Sequence, residues 1–279
     1  MKRILIAFIL VVVLAPDAMA GEKFLKSIDE AQKEAKANNQ LIFVDMFAQW
    51  CGWCHRMEQE VFPSEAFQKA TEKMVLLRLN TEDGKEGTRY AQDFEVYNLP
   101  TFLILAPDLS LAGMIRGYNP APQFVQLISN SLTQYAEFKK RMSEEPKLKD
   151  SQKRLDLVKD LLGRRAFPKA EALLTKVIAD KSAPKNVRDD AIFTLAVSQW
   201  NQKKMDASLK TLRTLLSSGP KGEQLERGSF MVGEVYLSQK NYPAALAEFR
   251  QFKKTFPNST LAKNADYYVV QIERSTTQN

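Results

Sequence analysis

Seven residues, Leu41-Ile42-Phe43-Val44-Asp45-Met46-Phe47, form an apolar run broken by one charge, and just beyond them stands Cys51-Gly52-Trp53-Cys54. That juxtaposition restricts the fold more than anything else in the chain. The run has the length and composition of a buried strand bounded by turn residues. Only two cysteines are present, and two thiols so close in sequence cannot staple distant segments, so a stabilising framework is not their purpose. A thiol just past a strand, at the start of the next helix, meets unpaired backbone N–H groups and the positive end of the helix dipole. A thiolate is the anion favoured there. The spacing therefore predicts a lowered pKa and an exposed, nucleophilic Cys51. Cys54, one turn further in and more buried, is expected to resolve a mixed disulfide.

The flanking pattern extends this unit. Residues 22–38 place Phe24, Leu25, Ile28, Ala31 and Ala35 at helical spacing, with Asn38-Asn39 as a stop. After the cysteines a helical stretch runs to Pro63, Met74 to Leu79 is a second apolar run, and residues 85–95 look helical. Thr101 to Leu105 reads as a strand, Pro107-Asp108 as a turn, and Leu109 to Arg116 as a hairpin partner. Residues 121–142 are an amphipathic helix carrying Phe124, Val125, Leu127, Ile128, Leu132 and Tyr135. The order α-β-α-β-α-β-β-α implies a mixed central sheet with helices on both faces.

Residues 44–54 resemble the thioredoxin motif, with Trp53 in place of the usual proline of the intervening dipeptide. Met57-Glu58 and Val61-Phe62 resemble the thioredoxin-like subfamily that includes the soluble domains of periplasmic thiol reductases. The resemblance covers roughly residues 22–142, and Leu99-Pro100-Thr101 is similar to the family's cis-proline loop. It implies a cis peptide bond before Pro100, a substrate groove shaped by Pro100 and Thr101, and an Asp45 that moves a proton to and from the buried thiol. A carboxyl buried in that strand loses solvation and stays partly protonated near neutral pH. Trp50 and Trp53 flank the cysteines; Trp50 is either packing or docking surface, and Trp53 also tunes thiolate stability. Cys51-x-x-Cys54-His55 spells the c-type haem attachment signature as well, but the strand, the buried-type Asp45 and the Leu-Pro-Thr segment frame it as a thiol site. A Zn site built on Cys51, Cys54 and His55 lacks a fourth ligand. The resemblance thus implies no metal and no cofactor beyond a redox-active Cys51–Cys54 disulfide.

The polar segment 143–153, with Pro146, reads as a linker. Beyond it the pattern is all helix, and the chain becomes self-similar. Phe167-Pro-Lys-Ala170, Met205-Asp-Ala-Ser208 and Tyr242-Pro-Ala-Ala245 align at spacings of 38 and 37 residues. The third copy, with Gly233, Tyr236, Ala245, Phe249 and Pro257, resembles the tetratricopeptide repeat; the second is weaker and the first weaker still. Residues 258–275 are expected to cap the stack. Residues 21–145 hold 14 basic and 18 acidic side chains, net −4, whereas residues 146–279 hold 24 and 14, net +10. The Lys and Arg are spread over helix faces without a basic-aromatic stripe, so no nucleic-acid partner is expected.

Lys2-Arg3, the apolar run Ile4 to Ala15 and Ala18-Met19-Ala20 read as a signal peptide cleaved after Ala20. The expected organisation is a signal peptide over 1–20, an α/β thioredoxin-like domain over 21–145 and an all-α tetratricopeptide-like domain over 146–279. The expected function is a periplasmic thiol–disulfide oxidoreductase that reduces or exchanges disulfides in exported proteins. Its partners would be protein substrates with thiols or disulfides, a redox partner that supplies or accepts electrons, and a peptide or protein on the repeats. Two other readings stay open: a non-enzymatic assembly protein with a redox-controlled tether, and a reductant of apocytochrome c thiols.

Overall fold

The structure, a computed structural model, describes residues 24–219 and 222–277. The expected signal peptide lies outside the described residues. The chain divides into two compact units, the first reaching to Pro107 and including Gly113–Ser131, the second comprising Asp108–Ala112 and Leu132 onward.

The first unit contains helix α1 (Ile28–Asn38), strand β1 (Leu41–Phe47), helix α2 (Gly52–Arg56) running into a π turn (Met57–Val61), and α3 (Glu65–Thr71). Then come β2 (Met74–Asn80), α4 (Glu86–Asp93), β3 (Thr101–Leu105), β4 (Leu111–Arg116) and α5 (Ala121–Glu144), the last two shared with the second unit. The sheet order is β2-β1-β3-β4. Strand β1 is parallel to β2, with Asp45 opposite Arg78, and antiparallel to β3, with Asp45 opposite Phe102. Every interior residue of β1 is buried, which explains why it reads as a continuous run rather than an alternating one. Phe43 anchors an aromatic core, its ring 5.3 Å from Phe67, 5.6 Å from Phe102 and 6.1 Å from Phe124.

Helix α1 begins later than its apolar spacing predicts. Leu25 is extended and bridges Leu77, its N–H donating to Leu76 O (2.8 Å) and its carbonyl accepting from Arg78 N–H (2.9 Å). The backbone of Leu25 covers part of the outer edge of β2, an unpaired sheet edge that competes with the helix for these residues. The helix closes at Asn39, which takes the left-handed conformation at φ 51°.

The second unit holds α6 (Ser151–Gly163), α7 (Phe167–Ala179), α8 (Lys185–Asn201), α9 (Met205–Ser217), α10 (Glu223–Ser238), α11 (Tyr242–Thr255) and α12 (Ala262–Thr277). The three aligned tetrads each open the second helix of a pair, and Ala170, Ser208 and Ala245 at their ends are all fully buried. The turn before each tetrad is built the same way. Arg165, Lys203 and Lys240 adopt positive φ (56°, 60° and 58°). The next residues, Ala166, Lys204 and Asn241, donate their N–H back to Leu161, Gln199 and Tyr236 at 2.9 Å each. This six-to-one closure is a Schellman motif, and it shows the first copy to be as regular as the third although its sequence is more diffuse. One apolar cluster joins α8, α9 and α10, and another joins α10, α11 and α12, so each pair completes its core with its neighbour. Gly233 makes the third pair possible, since a Cβ there would lie 2.7 Å from Phe249 Cε1.

The polar segment expected as a linker is instead a packed corner. Residues Glu145–Lys147 form a single 3-10 turn, and Glu145 is buried between Arg154 Nε (2.9 Å) and Lys176 Nζ (3.1 Å). A carboxylate can be buried there because two cations meet it.

Candidate active site

Strand β1 delivers the chain to Ala48-Gln49-Trp50, and Cys51 caps the helix that follows. Its sulfur accepts the Cys54 N–H at 3.1 Å, and its carbonyl accepts from Cys54 N–H (3.0 Å) and His55 N–H (3.2 Å). The two sulfurs are joined as a disulfide. The expected exposure of Cys51 is not found: Cys51 is 3% and Cys54 1% accessible. The oxidised pair packs with Ala48 against Phe47 and Leu99, and these apolar neighbours shield the first sulfur along with the second.

Asp45 is 1% accessible in β1. Arg78 Nε lies 3.1 Å from its Oδ2, an ion pair by distance, but the N–H is not directed at the carboxylate and neither oxygen of Asp45 receives a hydrogen bond. The Arg78 guanidinium is committed elsewhere, paired with Glu58 and lying 3.9 Å over the Phe47 ring. Burial pushes the Asp45 carboxyl up from its ordinary 3.8 to about 7; Arg78 offsets part of this and the negative Glu58 adds to it. Arg78 escaped the reading of the sequence, and Glu58 was read only as part of the family resemblance. The signal for Arg78 was a lone cation in the apolar strand Met74–Asn80, which only the parallel register brings opposite Asp45. A cleft of about 520 Å3, lined by Phe24, Lys26, Phe47, His55, Glu58 and Arg78 among others, opens beside this pair.

The Leu99–Pro100 peptide bond is cis. Pro100 is buried, its carbonyl accepts from Gly117 N–H at 2.8 Å, and Thr101 Oγ1 donates to Asn98 O at 2.6 Å. Trp50 is 69% and Trp53 55% exposed, which removes the packing reading of Trp50. Its indole N–H donates to Glu82 at 2.8 Å. Tyr97, three residues before the cis-proline and 82% exposed, belongs to the same class of side chain and was missed. His55 places Nε2 3.0 Å from Gln49 O and Nδ1 3.7 Å from Glu58. Among the described residues no group of three His, Cys, Asp or Glu side chains is placed to hold a metal ion.

Strand β1 thus carries a buried carboxyl and leads into a disulfide at a helix start, and a cis-proline stands just before β3, the antiparallel neighbour of β1. The family model for thioredoxin-like domains matches residues 28–131. These residues are a thioredoxin-like domain. A tetratricopeptide-repeat model matches residues 229–259, the third helix pair. The thiol:disulfide interchange protein DsbD of Pseudomonas fluorescens is 32% identical over 97 residues, a match covering 34% of this chain and 17% of that protein. DsbD of Yersinia pestis is 27% identical over 100 residues, covering 35% and 17%. The chain therefore spans about a sixth of the length of the curated relatives it matches. Among solved structures, the DsbH oxidoreductase aligns at 14% identity with a TM-score of 0.36, covering 43% of this chain and 92% of that one.

Proposed function

We propose that this chain is a periplasmic thiol–disulfide oxidoreductase that reduces or exchanges disulfides in exported proteins. The observation that carries the reading is the Cys51–Cys54 disulfide at a helix start, with the Cys54 N–H donating to Cys51 Sγ. The same N–H stabilises a thiolate on Cys51 once the bond is reduced. In the reduced form the Cys51 thiolate attacks one sulfur of a substrate disulfide, that S–S bond breaks, and the departing thiolate takes up a proton. Cys54 then yields its proton to Asp45 and attacks Cys51 Sγ; the bond between Cys51 and the substrate breaks, the second substrate sulfur leaves as a thiolate that takes up a proton, and Cys51–Cys54 is left oxidised. Two electrons pass to the substrate, and a redox partner must return them. An Asp45 carboxyl pushed up to about 7 both accepts and returns a proton near neutral pH. The exposed Trp50 and Trp53 form the wall on which an extended substrate segment docks, and the buried Pro100 and Thr101 shape that groove from beneath.

No cofactor is invoked beyond the disulfide itself. The N-terminal Lys2-Arg3 with its apolar run supports export; no described helix is long and apolar enough to cross a membrane. The tetratricopeptide-like unit is assigned the binding of a peptide or protein partner, in keeping with the matched repeat.

The test is a redox titration against dithiothreitol or glutathione buffers, read by Trp50 and Trp53 fluorescence. A potential near about −270 mV is expected and fits a reductant with an electron supply. A potential near about −120 mV would make the protein an oxidant and reverse the direction proposed. Cys51→Ser is expected to abolish turnover of a protein disulfide; retained turnover would remove Cys51 from the chemistry.

A further inference from the structure

The face that carries the disulfide holds a second set of contacts, which electron transfer does not use. Arg56 ends α2, and Glu60 follows one turn later in the π turn, on the same side of the helix. Both point away from the core that buries Met57 and Val61. Tyr118 approaches them from the loop between β4 and α5. Its hydroxyl donates to Glu60 Oε2 at 2.5 Å, and Arg56 Nε donates to Glu60 Oε1 at 2.8 Å. One carboxylate thus takes a donor on each oxygen, and these two bonds hold Glu60 below the ordinary carboxylate range. The Tyr118 ring lies 5.2 Å from the Trp53 ring. The Arg56 guanidinium covers both, at 5.6 Å from Trp53 and 5.1 Å from Tyr118. Indole, phenol, carboxylate and guanidinium therefore form a closed circuit.

Trp53 sits between the two cysteines and is more than half exposed. An exposed indole ordinarily samples several rotamers, and docking a substrate against it would first have to order it. Here that ordering is supplied in advance from a distant part of the chain. The loop that brings Tyr118 is itself fixed, because Gly117 N–H donates to the carbonyl of the cis-proline, Pro100. The circuit therefore ties the Trp53 wall to the Pro100 wall across the disulfide.

We propose that Tyr118 is a positioning residue for protein substrates: with Glu60 and Arg56 it holds Trp53 as a fixed flat wall for the extended segment that flanks a substrate disulfide. This rests on the oxidoreductase reading above. A small disulfide reaches the sulfur without that wall, so Tyr118 separates the two substrate classes.

The experiment compares the full chain with Tyr118→Ala and Tyr118→Phe, using insulin as protein disulfide and hydroxyethyl disulfide as small one. The ratio of kcat/KM for insulin to that for the small disulfide is expected to fall about fivefold in Tyr118→Ala, through KM rather than kcat. Tyr118→Phe keeps the ring and loses only the donor to Glu60, so its ratio should lie between; being nearly isosteric, it also guards against misfolding of the alanine variant. An unchanged ratio, or a loss confined to kcat, overturns the proposal and leaves Tyr118 a structural residue. If the unmodified chain reduces neither disulfide, it is the oxidoreductase reading that fails, and this assignment falls with it.

Discussion

The two units treat a buried carboxylate in opposite ways. In the second, Glu145 is buried but meets Arg154 and Lys176 at hydrogen-bonding distance, and the buried Asp189 is paired with Lys185 and accepts from Ser218. In the first, Asp45 is buried more deeply still, yet its one cation is turned toward Glu58 and Phe47 and gives it no hydrogen bond. A buried charge costs stability unless it is paired and hydrogen-bonded. The two buried carboxylates of the second unit meet that condition, and Asp45 departs from it, on the strand that leads into the disulfide. The contrast sets charges that hold a structure against the one to which we assign a change of protonation state.

Three measurements sharpen or break this contrast. The largest effect is expected from pH. The folded-state pKa of Asp45, about 7, stands above its ordinary 3.8, so between those values the folded protein binds a proton that the unfolded chain has lost. Its contribution to stability is full below the ordinary value, falls as pH rises toward 7 by on the order of 4 kcal/mol, and then levels off. Denaturant unfolding of the oxidised protein at about pH 4 and about pH 8 should show most of this loss, and Asp45→Asn should flatten it. Equal stability of the unmodified chain at both pH values would place Asp45 among the structural charges.

Next comes Glu145→Gln, which leaves Arg154 buried against an uncharged partner. A loss of about 3 kcal/mol is expected, seen as earlier melting of the helical signal. A neutral outcome would mean that Arg154 and Lys176 find water, and that this corner is as loosely paired as Asp45. The smallest of the three is Gly233→Ala, where the new methyl group meets the ring of Phe249. Phe249 is fully buried and has little room to yield, so about 2 kcal/mol should be lost. Full tolerance would show slack between α10 and α11.

Much of the first unit was legible because its signals are local. The β1 run, the cysteine pair at its end and the Leu-Pro-Thr segment each span a few residues, and the cis bond before Pro100 stands where the family resemblance implied it. The starts of α7, α9 and α11 were legible as aligned tetrads. What escaped depends on register and long-range pairing. Arg78 opposes Asp45 only through the parallel ladder, and Tyr118 reaches Glu60 only after β4 has paired in the sheet. Leu25 fits a helical spacing and was claimed instead by a sheet edge. Glu145 looked like linker because its counter-charges lie in two later helices, α6 and α7. The burial of Cys51 was hidden for the same reason, since Leu99 comes from a separate loop.

The repeated turns at Arg165, Lys203 and Lys240 carry a consequence for how such a chain lengthens. Each pair ends its first helix with the same backbone closure, so the relation between the two helices is written within the pair and does not depend on how many pairs precede it. A duplication that copies one such block inserts a correctly bent hairpin of helices, ready to share its apolar face with either neighbour. Side chains around the block are then free to vary, as they do between the first copy and the third, while the hinge geometry preserves the hairpin.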